Sequence, residues 1–327
     1  MTTASVQQAD EALLESGWAS LPASYRIPET APSLDEARAY CKRLAESHYE
    51  NFHVASIFLP EALRPHFYSI YAYCRIADDL GDEVESPAQA LALLDQWGRE
   101  LDACYSGSVR HPVFVALAET IRARSIPKGP FSDLLTAFRQ DQVVTRYASM
   151  QELLDYCRNS AAPVGRLVLY ASGEADDGRF RLSDATCNAL QLANFWQDVR
   201  RDYAKGRIYL PRDAMQRFGV GEDTIAGGVA TPQFRALIRH EVDYARGLFE
   251  EGLALIGMVN RDLALDLELF SLGGLEILRA IERQDYDVLR ARPAVSKGAK
   301  VRLALRAMGG RMLPFLRLHG QRKGGMA

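Results

Sequence analysis

The chain has 327 residues, of which 48% are hydrophobic and 25% charged. These proportions place it among globular proteins with a large core and exclude a disordered or low-complexity polymer. A net charge of -3 supplies no basic field of the kind that draws a protein to nucleic acid, and no nucleic-acid partner is expected.

Residues 1–30 are polar, lack a sustained period and end in a proline-containing stretch, so they read as a loosely attached tail. Ser33-Leu34-Asp35-Glu36 is a capping box that opens a helix through about Tyr49. Apolar residues three and four apart, Phe67, Ile70, Tyr71, Cys74 and Ala77, mark the next helix. Ser86 followed by Pro87 is an N-cap with proline at the first helical position, ahead of a pattern from Ala90 to Cys104. Helical patterns over 111–124 and 131–145 follow, then the period Leu153, Leu154, Cys157, Ala161, Val164. Ser183 reads as the cap of a helix running through Trp196 and stopping near Gly206. Patterns over 231–257, 262–283 and 297–314 complete the chain.

Strand-like alternation is nearly absent and no linker divides the sequence. The expected architecture is one all-α bundle over residues 31–295, followed by a C-terminal helix and basic tail over 296–327. The cysteines Cys41, Cys74, Cys104, Cys157 and Cys187 form no C-x-x-C pair and read as core thiols of a reducing compartment. No signal-peptide pattern opens the chain and no uncharged run approaches the roughly 18 apolar residues of a membrane span, so a cytoplasmic protein is expected.

Two stretches call for a chemical explanation. Asp78 and Asp82 stand four apart in Tyr71-Ala72-Tyr73-Cys74-Arg75-Ile76-Ala77-Asp78-Asp79-Leu80-Gly81-Asp82, so both carboxylates project from one helical face. Asn194, Asp198 and Asp202 repeat the spacing in a second stripe. Like charges at this spacing repel, so something cationic should offset them. Magnesium is commonly held by one or two carboxylates while water and substrate phosphate fill its other positions, and two such stripes suit a magnesium-diphosphate cluster. A solvated helix face explains either stripe alone, but not the aromatic and apolar flanks Tyr71, Tyr73, Ile76, Phe195, Trp196 and Val199. A di-iron carboxylate bundle needs paired Glu-x-x-His motifs, and the chain has only Glu50-Asn51-Phe52-His53. Arg75, Arg200, Arg201, Lys205, Arg207 and Arg212 crowd the same stretches. Guanidinium groups bind phosphate oxygens bidentately and can stabilise a departing diphosphate as its charge grows.

These motifs, followed by Gly206-Arg207-Ile208-Tyr209-Leu210-Pro211, resemble the squalene/phytoene synthases. The likeness extends to Tyr156-Cys157, Pro163-Val164-Gly165, Ile277-Leu278-Arg279-Ala280-Ile281-Glu282 and Tyr286-Asp287-Val288-Leu289, and covers about residues 35–295. The resemblance implies a class I isoprenoid synthase fold, with the two aspartate helices facing each other across a central cavity. It implies two or three Mg2+ ions bound by Asp78, Asp82, Asn194, Asp198 and Asp202, and diphosphate bound by Arg75 and Arg207, beside which Lys205 adds a compact positive charge. Tyr71 and Tyr156 match tyrosines near the reacting carbons, where aromatic faces stabilise cations.

Three segments, His48 to Ser56, Tyr156 to Gly165 and Asn194 to Asp198, resemble the bacterial hydroxysqualene synthases of that family. Phytoene synthases usually carry arginine and glutamate where this chain has Gln197 and Arg201. The subgroup implies presqualene diphosphate as substrate, water capture of the cation, no NADPH, and neighbouring enzymes of the squalene pathway as partners. The runner-up is head-to-head condensation of farnesyl or geranylgeranyl diphosphate to presqualene diphosphate, squalene or phytoene. His48, Asn51 and Asn159 are candidates for placing the water. The basic stretch from Lys297 to Ala327 can rest as an amphipathic helix on the inner face of a membrane.

Overall fold

The computed structural model describes residues 12–47, 60–296 and 298. Among the described residues, 12–19 are helical and lead through a 3-10 turn at Ala23–Tyr25 into twelve further helices. The first seven are α1 (Leu34–Ser47), α2 (Arg64–Asp82), α3 (Pro87–Ser106), α4 (Pro112–Arg124), α5 (Gly129–Gln140), α6 (Met150–Ser160) and α7 (Ala162–Ser172). Then come α8 (Asp177–Ala204), α9 (Arg212–Arg217), α10 (Glu222–Gly227), α11 (Pro232–Gly252) and α12 (Arg261–Arg283). Among the described residues the sole β-type pairing is an isolated parallel bridge between Arg146 and Ile208, so the expected all-α class is the observed one. No helix among them is long and apolar enough to cross a membrane.

Local chemistry explains most boundaries. Ser33 and Glu36 form the expected capping box, with Ser33 N donating to Glu36 Oε2 at 2.8 Å and Glu36 N to Ser33 Oγ at 3.3 Å. Ser86 and Gln89 form a second box at the head of α3. Side chains of Ser149, Asp176, Thr231 and Asn260 cap α6, α8, α11 and α12. The period from Leu153 to Val164 proves to be two helices meeting at Ala161, because Pro163 starts α7. The pattern over 131–145 ends as helix at Gln140, and that over 231–257 finishes as a 3-10 turn, Leu253–Gly257. The pattern over 297–314 lies outside the described residues.

Two expectations are corrected. Ser183 is no cap: α8 begins at Asp177, where Asp176 accepts from Arg179 N at 2.8 Å. Ser183 instead lies buried at the crossing of α7 and α8. There a Cβ on Gly165 would stand 2.2 Å from Ser183 Oγ and 2.6 Å from Cys187 Sγ, so glycine and a small serine let the backbones approach. The second correction concerns the loosely attached tail. Its described part, 12–30, is packed, with Trp18, Leu21 and Tyr25 buried in the core and Trp18 Nε1 donating to Gln96 Oε1 at 2.9 Å.

The interior has two apolar clusters. One gathers α1 to α5 and the N-terminal segment around Tyr73, Trp97 and Phe114, and includes Leu167 and Ala171 of α7. The other gathers α6, α8, α11, the last turns of α12 and the chain to Leu289 around Trp196, Phe234 and Phe249. Helix α2 carries the first aspartate stripe on the first cluster and α8 the second stripe on the second.

Candidate active site

The stripes meet through Arg207. Helix α8 ends at Ala204, and Gly206 takes a left-handed φ of 79°, a conformation that strains other residues. The chain therefore turns back, with Arg207 N donating to Asp202 O at 2.8 Å and Ile208 N to Thr145 O at 2.9 Å. That turn aims Arg207 across to α2, where Nη2 lies 3.1 Å from Asp82 Oδ1, and Lys205 Nζ is 3.6 Å from Asp82 Oδ2. Arg75, Arg207, Lys205, Asp78, Asp82 and Asp202 thus gather at one place. On α8, Asp198 is gripped by both arms of Arg292, at 2.6 and 2.8 Å, with Arg201 at 3.6 Å.

The electrostatics are those of crowded carboxylates. Burial, and then Asp82 one turn away, push Asp78 up to about 6. Yet 51% of its side-chain surface is open. A carboxylate both surrounded by protein and reachable from outside lines a recess. Burial and the neighbouring Asp198 push Asp202 up to about 7, against the pull of Arg207 and Lys205. Arg207 is raised above the ordinary arginine range by Asp82, Tyr209 and Asp141 although burial opposes this.

One wall of the recess is aromatic. Phe195 of α8 stacks on Tyr209 with ring centroids 3.7 Å apart, and Tyr156 and Tyr147 lie 6.1 and 5.8 Å from Tyr209. Tyr156 donates its hydroxyl to Asp141 Oδ2 at 3.0 Å, and burial keeps it protonated. Tyr71, half-buried on α2, is raised by burial and lies in the field of Arg75, Asp79 and Asp78. Asn194 is exposed one turn before Asp198, and Asn159 is half-buried three residues after Tyr156 on α6. His48 and Asn51 lie outside the described residues.

Asp141 and Arg292 escaped the sequence reading. Burial pushes Asp141 up to about 6, and its Oδ1 is buried with no hydrogen-bond partner while Arg207, Asp82 and Asp78 act on it. It stands alone at the end of α5, with no spaced partner to single it out. Arg292 is 94 positions from the carboxylate it grips.

The donors are all oxygens, and burial and mutual repulsion raise two of the four stripe carboxylates, Asp78 and Asp202, a shift that a hard divalent cation would reverse. The residues therefore fit Mg2+. Among the described residues no three His, Cys, Asp or Glu side chains close on one point. Water and phosphate oxygens complete a magnesium shell of that kind.

Fold and site together define an all-α enzyme of the isoprenoid diphosphate class. The model of the squalene/phytoene synthase family matches residues 45–299. The chain belongs to that family, whose members process prenyl diphosphates; it is of the class I terpenoid synthase type, which uses a divalent metal with diphosphate. It is 30% identical to a 15-cis-phytoene synthase of Synechococcus elongatus over 82% of this chain and 91% of that one. It resembles the crystal structure of the squalene synthase HpnC from Alicyclobacillus acidocaldarius at 47% identity and a TM-score of 0.75, covering 83% of this chain and 98% of that one. A dehydrosqualene synthase solved with a ligand is 28% identical with a TM-score of 0.77, over 85% of this chain and 98% of that one.

Proposed function

We propose that the chain is a hydroxysqualene synthase that ionises presqualene diphosphate. The observation that carries the diphosphate part is the convergence of Arg207 and Lys205 on Asp82 beside the raised carboxylates Asp78 and Asp202. The likeness to the Alicyclobacillus enzyme over nearly all of that chain supports the subgroup.

Asp78, Asp82, Asn194, Asp198 and Asp202 are the residues to hold two or three Mg2+ ions, which when bound neutralise the diphosphate and draw electrons from the breaking C–O bond. Arg75, Lys205 and Arg207 bind the diphosphate oxygens and stabilise the charge that accumulates as it leaves with the bonding pair. Tyr71, Tyr156, Phe195 and Tyr209 turn aromatic faces to the cyclopropylcarbinyl cation while it rearranges, and exclude bulk water. A single water then adds to the cation and loses a proton, for which His48, Asn51 and Asn159 are the candidate positioning groups.

The sum is a hydrolysis with no net electron transfer, so no nicotinamide cofactor enters. Gln197 supports departure from the phytoene pattern. It is buried and donates through Nε2 to Pro293 O at 2.5 Å, which ties α8 to the C-terminal stretch. An arginine there would bring a charge into that packed position. The basic stretch from Lys297 to Ala327 is the proposed contact with an anionic membrane, where an apolar product passes to the next enzyme.

The test is incubation with farnesyl, geranylgeranyl and presqualene diphosphates, with and without magnesium and NADPH, followed by mass analysis. Presqualene diphosphate alone should yield hydroxysqualene and pyrophosphate, and chelation should abolish the reaction. Consumption of farnesyl or geranylgeranyl diphosphate alone establishes the second reading, a condensing enzyme, which the 30% identity with phytoene synthase favours.

A further inference from the structure

We propose that Tyr25, in the segment that precedes α1, is a positioning residue for diphosphate binding: it holds Asp79, and Asp79 holds the Arg75 guanidinium in line with Asp78. The proposal rests on the diphosphate reading of Arg75 given above. Asp79 is only 5% exposed, and a carboxylate buried to that degree must be paired on both oxygens. Its Oδ2 accepts from Tyr25 OH at 2.8 Å and from Arg75 Nε at 3.1 Å, and its Oδ1 accepts from Arg75 Nη2. With that edge of the guanidinium committed, Nη1 is the arm turned to the stripe, 3.7 Å from Asp78 Oδ2.

Tyr25 is built into place. Its N donates to Pro22 O at 2.9 Å to close the 3-10 turn, its ring is buried in the core around α2, and Tyr40 OH donates to Ser24 O at 2.8 Å beside it. Burial and the Asp79 carboxylate both raise the Tyr25 hydroxyl, which keeps it a donor throughout the working pH range. Removing that hydroxyl leaves Asp79 Oδ2 short of one of its two donors. The carboxylate can then rotate, which releases the two-point hold on Arg75. The segment ahead of α1 thus completes the support beneath the first stripe.

The experiment compares Tyr25→Phe with Tyr40→Phe in the full chain, measuring thermal midpoints and the binding of inorganic pyrophosphate in the presence of magnesium by calorimetry. Both changes keep the ring. Tyr40→Phe loosens the same turn without touching Asp79. Tyr25→Phe should weaken pyrophosphate about ten-fold, the order of one hydrogen bond to a charged group. Tyr40→Phe should bind as the unsubstituted chain does, whatever its midpoint. In an Arg75→Lys background Tyr25→Phe should have no further effect, because lysine cannot take the two-point hold. Unchanged binding by Tyr25→Phe, an equal loss in Tyr40→Phe, or an undiminished loss in the Arg75→Lys background overturns the positioning role. Failure of the unsubstituted chain to bind pyrophosphate overturns the diphosphate reading itself, and the proposal with it.

Discussion

The two aspartate helices present similar carboxylate stripes but are held in different ways. Helix α2 is supported from beneath: Asp79 is buried, fully paired, and fixes Arg75 from the core side. Helix α8 is also held by later parts of the chain. Arg292 grips Asp198, Gln197 reaches the Pro293 carbonyl, and Arg200 Nη1 donates to Leu289 O at 2.9 Å. Arg207 and, at longer range, Lys205 cross between the stripes to Asp82. One stripe is thus braced by a buried carboxylate of its own helix, whereas the other also takes contacts from the chain beyond residue 285.

Breaking the crossing should have the largest effect. Arg207→Ala removes a half-buried guanidinium that, in the proposed function, faces the departing diphosphate, and should lower the rate of pyrophosphate release by about 10²- to 10³-fold, with Lys205→Ala costing less because Lys205 is mostly solvated. Steady-state assay of both variants checks the order, and equal losses would show that the crossing is no more than a diffuse field.

Next in size is a change within α11, the helix that packs along α8. Glu241 of α11 is buried at 1% exposure, and burial pushes it up to about 7 from the usual 4.5. A carboxyl raised in this way binds more protons folded than unfolded between those values. Stability is therefore fully retained below about 4.5, falls as pH rises to about 7, and stays reduced above. Glu241→Gln should restore up to about 3 kcal/mol at pH 8 and nothing at pH 4. Melting at the two pH values decides it. A smaller loss, about 1–3 kcal/mol, is expected of Gly252→Ala, whose methyl would meet Thr186 Oγ1 at 2.0 Å and the α8 backbone at 3.0 Å.

The same difference explains what could be read from the sequence. Asp78, Asp82, Asn194, Asp198 and Asp202 were legible because helical spacing alone places them on one face. The caps at Ser33 and Ser86 were legible because the boxes are local. What holds those side chains was not. Leu14, Trp18, Leu21 and Tyr25 do stand four, three and four apart, but in a polar stretch so short a stripe does not announce its burial. Ser183 looked like a cap because serine before an apolar period serves equally well at a close helix crossing. Asp141 and Arg292 acquire meaning only through Tyr156 and Asp198, 15 and 94 positions away.

Arg292 offers the finest test of the comparison. Its guanidinium takes both oxygens of Asp198, at 2.6 and 2.8 Å, although 41% of the arginine side chain is open to solvent. An ion and a guanidinium cannot both have those lone pairs in full, so in the diphosphate reading Arg292 competes for Asp198 and must yield part of it when magnesium binds. An ion pair this exposed contributes no more than about 1 kcal/mol, which limits the competition to roughly five-fold. Arg292→Gln should therefore lower the magnesium concentration needed for half-maximal pyrophosphate release by about two- to five-fold, with kcat nearly unchanged. A higher requirement would instead make Arg292 the counterpart on α8 of Asp79 beneath α2, a side chain that aims a site residue at the shared recess.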